Sequence, residues 1–281
     1  MAVNEKIQSG NHAGERMTLT IKNVEYVFRW CPAGTFLMGS PESELNRGNY
    51  ETQHQVTLSR GFWMQETEVT QEQWKSVMGN NPSQFKGNQL PVETVSWNDC
   101  QEYMRKLNTL ISSDYEFSLP TEAQWEYACR AGSTTPFNFG STLNGDKANC
   151  DGNYPYGTST KGTYLKKTAS VGSYQANAWG LYDMHGNVWE WCSDWYGDYL
   201  VGSVTDPTRA NNGSYHALRG GSWYCLAKYC RSAFQYIVLP MYGDYELGVR
   251  CSLVEKRKKR KKRNSSIFEL TIKPQKSHEG F

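Results

Sequence analysis

Two sets of residues in this sequence could do chemistry. The first is a pair of thiols, Cys225 and Cys230, with four residues between them. Eight cysteines are present, at 31, 100, 129, 150, 192, 225, 230 and 251, and these two are the only close pair. No Cys-x-x-Cys occurs and there are 5 histidines, so a structural zinc site is not expected. The even count permits disulfides without demanding them, and the pair can equally be two ordinary thiols. The second set is aromatic. Tyr224, Tyr229, Phe234, Tyr236, Tyr242 and Tyr245 follow one another with no sustained period of 2 or 3.6. Core strands alternate and core helices repeat; this stretch does neither. Large amphipathic rings on a rigid scaffold give contact area at small entropic cost, as binding loops do.

The elements that must hold these residues carry local signals. Three helices have start signals. Thr70 with Gln73 and Thr121 with Gln124 form Thr-x-x-Gln capping boxes, and Ser96 begins a third helix. Gly79 and Gly132 end the first and last. After Ser96, Trp97, Cys100, Met104, Leu107 and Ile111 fall at steps of three and four, one apolar face. Met17–Trp30 alternates and predicts a hairpin turning at Lys22-Asn23. Strands are expected at Thr35–Met38, Gln55–Leu58, Ala217–Trp223, Cys230–Val238 and Leu247–Val254. From 133 to 216 Gly, Asn, Asp, Ser and Tyr dominate. So long an irregular stretch needs an organiser, which would be Trp and Tyr packing, bound calcium, or both.

Composition excludes some classes. The 281 residues contain 10 Trp and 18 Tyr, and 38% of the chain is hydrophobic. No apolar run approaches the roughly 18 residues of a membrane-spanning helix. The opening MAVNEKIQSG lacks the apolar core of a secretory signal, so membrane anchoring would require a signal that has been removed. The net charge of +2 hides an asymmetry. Lys256 to Arg263 are eight consecutive basic residues; without them, 22 basic side chains face 28 acidic ones. Such a run is read as a solvated, disordered tail rather than a contact for polyanions. No interleaving of aromatic and basic residues accompanies it, so nucleic-acid binding is not expected.

Several strings are specific in combination. They are Gly34-Thr-Phe-Leu-Met-Gly-Ser40, Glu66-Thr-Glu-Val-Thr70, Pro91-Val-Glu-Thr-Val-Ser-Trp97 and Leu119-Pro-Thr-Glu-Ala-Gln-Trp-Glu-Tyr127. Gly186-Asn-Val-Trp-Glu-Trp191, Asp194-Trp195, Arg219-Gly-Gly-Ser-Trp223 and Leu247-Gly-Val-Arg250 follow. In this order the chain resembles the formylglycine-generating enzyme, or sulfatase-modifying factor, family over roughly residues 30–254. The resemblance implies an α+β, C-type-lectin-like fold with short twisted sheets, two main helices and long ordered loops. The implied organisation is a polar leader at 1–16, one such domain at 17–254 and the basic tail at 255–281.

Function divides within that resemblance. The founding enzymes oxidise a substrate cysteine with oxygen, using two cysteines spaced as Cys-x4-Cys after Gly-Gly-Ser. They bind Cu(I) through the thiolates, and soft thiolates suit that ion. Cys225 and Cys230 after Gly220-Gly-Ser222 fit the spacing, so a copper-dependent formylglycine-generating oxidase acting on a sulfatase cysteine is the alternative reading. Anchored on Arg231 and Pro240, however, the segment is about three residues shorter than in the enzymes. In sequence the nearest histidine is His216.

The same segment resembles the variable proteins of diversity-generating retroelements, with Gly-Gly-Ser-Trp223, Cys230-Arg-Ser-Ala233, Pro240 and Leu247-Gly-Val-Arg250 as fixed points of a variable segment at about 217–251. In those systems template adenines are randomised, and the intervening residues are ones reachable from adenine-rich codons. They are Tyr224, Cys225, Leu226, Lys228, Tyr229, Phe234, Gln235, Tyr236, Ile237, Val238, Leu239, Met241, Tyr242, Gly243, Asp244, Tyr245 and Glu246. The leading expectation is therefore a non-enzymatic, receptor- or adhesin-like protein displaying these residues to a macromolecular ligand, a protein. It would be a monomer at a bacterial cell surface or outside the cell, with no catalytic residue and no required cofactor. The resemblance also implies structural calcium at Asn187 and Glu190, with Asn149 in a weaker second region where Thr163 stands in place of an acid. Cys129 and Cys251 match disulfide positions of the enzymes, but Met104 occupies a partner position, so no bridge is assigned.

Overall fold

The computed structural model describes residues 7–199, 202–208 and 212–256. The chain opens with the predicted hairpin. β1 (Arg16–Ile21) pairs antiparallel with β2 (Val24–Cys31), Ile21 facing Val24. Lys22 and Asn23 both take positive φ, 52° and 62°, the tight turn that matches strand twist. β3 (Gly34–Met38) and β4 (His54–Leu58) form a second antiparallel pair, and β5 (Phe62–Gln65) returns to β2.

Three α-helices occur among the described residues, each where a cap was read. α1 (Gln71–Met78) starts at Thr70, α2 (Trp97–Leu110) at Ser96 and α3 (Glu122–Arg130) at Thr121. All three starts are capping boxes: the hydroxyl accepts the third backbone N–H, and that residue's side chain accepts the cap N–H. α2 and α3 are the longer two. α1 ends on Gly79 at φ 86°, a left-handed conformation glycine takes without a Cβ penalty.

β6 (Tyr115–Ser118) separates α2 from α3, and β7 (Trp189–Trp195) lies far downstream. β8 (Val204–Thr205), β9 (His216–Arg219), β10 (Tyr236–Val238), β11 (Leu247–Gly248) and β12 (Ser252–Glu255) complete the order, with a 3-10 turn at Ala227–Cys230. One sheet runs β1-β2-β5-β12-β6, a second β10-β9-β7-β11 and a third β3-β4-β8. Short curled sheets, three helices and long loops make an α+β, formylglycine-generating-enzyme-like fold.

Several sequence expectations shift. The strand expected at Cys230–Val238 shrinks to Tyr236–Val238, because a 3-10 turn and a loop bound by buried arginines occupy its start. β7 was missed. Residues 7–15, expected as part of a polar leader, lie on the body: Ile7 is buried, Gln8 O accepts the Trp63 indole N–H, and Gly10 abuts Trp30. The strand at the other end runs through Glu255, and the Lys256 N–H donates to Asp114 O. The rest of the expected basic tail, 257–281, lies outside the described residues.

Between Arg130 and Trp189 no helix or strand forms. Aromatic packing organises this stretch. Phe137 contacts Phe139, Tyr156 and His185 at 5.3–5.6 Å, while Tyr127 meets Trp179 at 4.9 Å. Phe137, Leu143, Ala148, Cys150, Tyr156, Ala227 and Cys230 make a small core of their own, separate from two larger ones.

Candidate functional site

Residues 219–250 thread between β9 and β12 and sort sharply by depth. Trp223, Ala227, Cys230 to Ala233 and Leu247 to Arg250 are buried, and Pro240 is half-buried. Among the candidate contact residues, Tyr224, Tyr236, Leu239, Met241, Tyr242 and Gly243 are exposed, Met241 by 72%. Cys225, Leu226, Lys228, Tyr229, Phe234, Ile237, Val238, Asp244, Tyr245 and Glu246 are intermediate. Gln235 departs from the expectation. It is 4% exposed and its amide donates to Tyr199 Oη at 2.5 Å, so it props the segment instead of facing outward.

Three arginines hold the segment down, each with no exposed surface. Arg219 pairs with Glu126 and donates to the carbonyls of Ser232, Ala233 and Phe234. Arg231 takes Glu51 in a two-pronged pair at 2.7 and 2.8 Å, Glu44 at 2.6 Å, and the carbonyls of Asn46 and Lys228 at 3.0 Å. Arg250 grips Glu190 at 2.7–3.0 Å and the carbonyls of Gln65 and Tyr182. Burial works to raise the Glu51 carboxyl, but the hydrogen bonds and charge of Arg231 outweigh it and hold Glu51 below the usual range. A guanidinium fork suits such sites because it stays charged and pre-organised. Sequence reading missed Glu44, Glu51 and Glu126 as partners and gave Glu190 a calcium-binding role instead. Glu126 carries a faint signal, its i,i+4 spacing to Arg130, with which it also pairs; Glu44 and Glu51 sit in a polar loop with none.

Above this layer the rings touch one another. Trp223 meets Tyr224 at 5.4 Å and Tyr245 at 5.7 Å; Trp189 stacks on Tyr236 at 5.3 Å and lies 6.0 Å from Phe234. Tyr229 packs edge-on to Phe234 at 5.0 Å, and Lys228 lies 4.8 Å over the Tyr229 ring. Tyr229, Phe234, Val238 and Cys225 thus lean on the main core while presenting an outer edge. Asp244 accepts from the Tyr242 hydroxyl at 2.9 Å, and its carbonyl receives the Thr94 N–H at 2.9 Å. Body residues border this face: Tyr50 is edge-on to Phe234 at 6.4 Å.

The thiol pair does not look tuned for reactivity. Cys225 accepts from the Ser222 hydroxyl at 3.3 Å, and its nearest charge is the Glu246 carboxylate at 4.0 Å. Burial pushes the Cys225 thiol up to about 12. A hydrogen bond with Cys150, followed by burial, raises Cys230 as well. Thiolates, the metal-binding and nucleophilic form, need cationic neighbours to form near neutrality. A histidine does lie closer than the sequence indicated: His185 Nδ1 bonds Cys230 O at 2.7 Å. It meets the carbonyl, not the sulfur, and burial lowers its pKa to about 4.

The calcium candidates are committed elsewhere. Both Glu190 oxygens accept from Arg250, and Oε2 also accepts the Trp125 indole N–H at 2.6 Å. Asn187 Oδ1 accepts from Asn149 and Ala169, while its amide donates to Glu68 at 2.9 Å. A cation at Asn187 and Glu190 would have to displace the guanidinium, so this pair does not fit the ion. Near them, Glu68 Oε2 and Asn149 Oδ1 have no hydrogen-bond partner among the described residues. Among the described residues, no three His, Cys, Asp or Glu side chains converge as a metal site.

Comparison with known proteins places this geometry. The formylglycine-generating enzyme of Streptomyces coelicolor is 37% identical over 172 residues, 58% of this chain and 52% of that relative, so the match spans about half its length. The solved Treponema denticola variable protein 1 superposes with a TM-score of 0.72 at 28% identity, covering 84% of this chain and 98% of that one. PvdO from Pseudomonas aeruginosa gives 0.73 at 26% identity, covering 87% and 99%. The model of the sulfatase-modifying factor enzyme 1-like domain matches residues 22–254, most of the chain, and this chain belongs to that family.

Proposed function

We propose that the protein is a non-enzymatic binder whose residues between Tyr224 and Glu246 form a diversified contact face for a protein ligand at a bacterial cell surface. The observation that carries this reading is the sorting by depth. The residues of the recurring frame, from Trp223 to Arg250, are buried or half-buried. All the interspersed candidates except Gln235 reach the surface. Such an arrangement keeps its shape while side chains on its outer face change. The reading requires no cofactor. Likeness to the Treponema denticola variable protein supports it.

A second reading, the copper-dependent formylglycine-generating oxidase, is favoured by the identity to the Streptomyces coelicolor enzyme and by the Cys225–Cys230 spacing. The raised pKa of both thiols, and the carboxylate beside Cys225, weigh against it.

Two measurements separate the readings. Flanking DNA should hold an imperfect repeat of the segment encoding 217–251 and a reverse transcriptase gene. Titration with Cu(I) should show no stoichiometric site that depends on Cys225. Stoichiometric Cu(I) binding that is lost in Cys225→Ser, together with oxygen-dependent conversion of a cysteine peptide, would sink the binder and establish the oxidase.

A further inference from the structure

The irregular stretch before β7 meets the exposed segment along one short seam. The Asp151 N–H donates to Cys225 O at 2.9 Å, Asp151 and Leu226 form an isolated parallel bridge, and the Ala227 N–H donates to Tyr154 O at 3.3 Å. This seam brings Cys150 and Cys230, 80 positions apart in the chain, into the same small core, both without exposed surface. Within that core of seven residues Cys150 lies near enough to raise the Cys230 thiol. Room for the Cys230 sulfur is made by Gly221, whose φ is 81°; a Cβ there would lie 2.5 Å from Sγ. Cys225, the third thiol nearby, is engaged by Ser222 and Glu246 instead.

We infer that Cys150 and Cys230 are a disulfide-forming pair that clamps the irregular stretch to the foot of the exposed segment. Two S–H bonds break and one S–S bond forms. The two electrons and two protons pass to a small-molecule disulfide such as oxidised glutathione, which leaves as two thiols. Because both sulfurs are buried in the finished fold, the exchange takes place during folding, and a reductant reaches the bond only when this small core opens. The clamp closes a long loop, the case in which a cross-link constrains the unfolded chain most. It occupies Cys230, which the oxidase reading also needs, so the two exclude each other, and it leaves Cys225 a free thiol.

The test is to refold the full chain with oxidised glutathione, alkylate it and map the peptides by mass. A linked Cys150–Cys230 peptide pair with alkylated Cys225 is expected, and melting at least about 5 °C above the reduced protein. Cys150→Ser should abolish both the link and the melting difference, while Cys225→Ser should keep both. Alkylation of both Cys150 and Cys230 in the folded, oxidised chain would overturn the inference, as would a link from Cys230 to Cys225. If Cys150→Ser does not fold, the peptide map of the unsubstituted chain decides alone.

Discussion

The anchor layer and the outer face of residues 219–250 are drawn from the same short length of chain, yet they obey different physics. Arg219, Arg231 and Arg250 have no exposed surface, and they bind Glu126, Glu44, Glu51, Glu190 and backbone carbonyls, with Arg219 Nε left without a partner among the described residues. Tyr224, Tyr236, Leu239, Met241 and Tyr242 are 43–72% exposed. A buried guanidinium is tolerable only with its counter-charge in place, so each anchor specifies one geometry. An exposed ring loses little when removed, because water or a partner replaces its outer contacts. The contrast teaches that replaceability here follows depth and not residue type: Gln235 lies among the candidates in sequence and with the anchors in space.

The comparison breaks most visibly if an anchor can be lost cheaply. Arg231→Ala should cost about 3–5 kcal/mol or prevent folding, because Glu51 and Glu44 are left buried without their counter-charge. Urea denaturation measures it, and a cost below about 1 kcal/mol would remove the distinction between the layers. Trp223→Ala should follow at about 3 kcal/mol, the range for large core truncations, since the ring is 6% exposed between Phe85, Tyr224 and Tyr245.

A pH effect sharpens the account of what surrounds Arg250. Burial raises the Asp183 carboxyl to about 6, against an ordinary value of 3.8. The folded state therefore holds the proton more tightly than the unfolded chain. That contribution to stability is full below about 4 and is lost as pH rises to about 6. In chelator-treated buffer, wild type should lose stability relative to Asp183→Asn across this interval and then run parallel to it. A parallel course throughout would show that Asp183 titrates normally.

The smallest effects belong to the outer face. Tyr236→Ala, Met241→Ala and Tyr242→Ala should each change stability by no more than about 0.5 kcal/mol. Gln235→Ala should cost more than any of them. Thermal melts of the four variants test the ranking; if the exposed tyrosine variants destabilise as much as Trp223→Ala, the face is core and displays nothing.

Much of this molecule is written locally. Each helix start is a hydroxyl with Gln or Asp three residues on, and each appears where that short-range hydrogen bonding can form. The Lys22-Asn23 turn is likewise set by two residues that accept positive φ. The order of Gly-, Trp- and Arg-containing strings was enough to name the family, and the spacing of Trp223, Arg231, Pro240 and Arg250 separated frame from face. What the tertiary structure decided involves partners distant in the chain. Arg231 is 180 positions from Glu51, Cys230 meets His185 and Cys150 instead of the nearer His216, and Glu190 is claimed by Arg250 instead of calcium. No periodicity reports such pairs. Their energy comes from desolvated charges and packed rings that exist only once the chain has closed, whereas caps and turns depend on neighbours a few residues away.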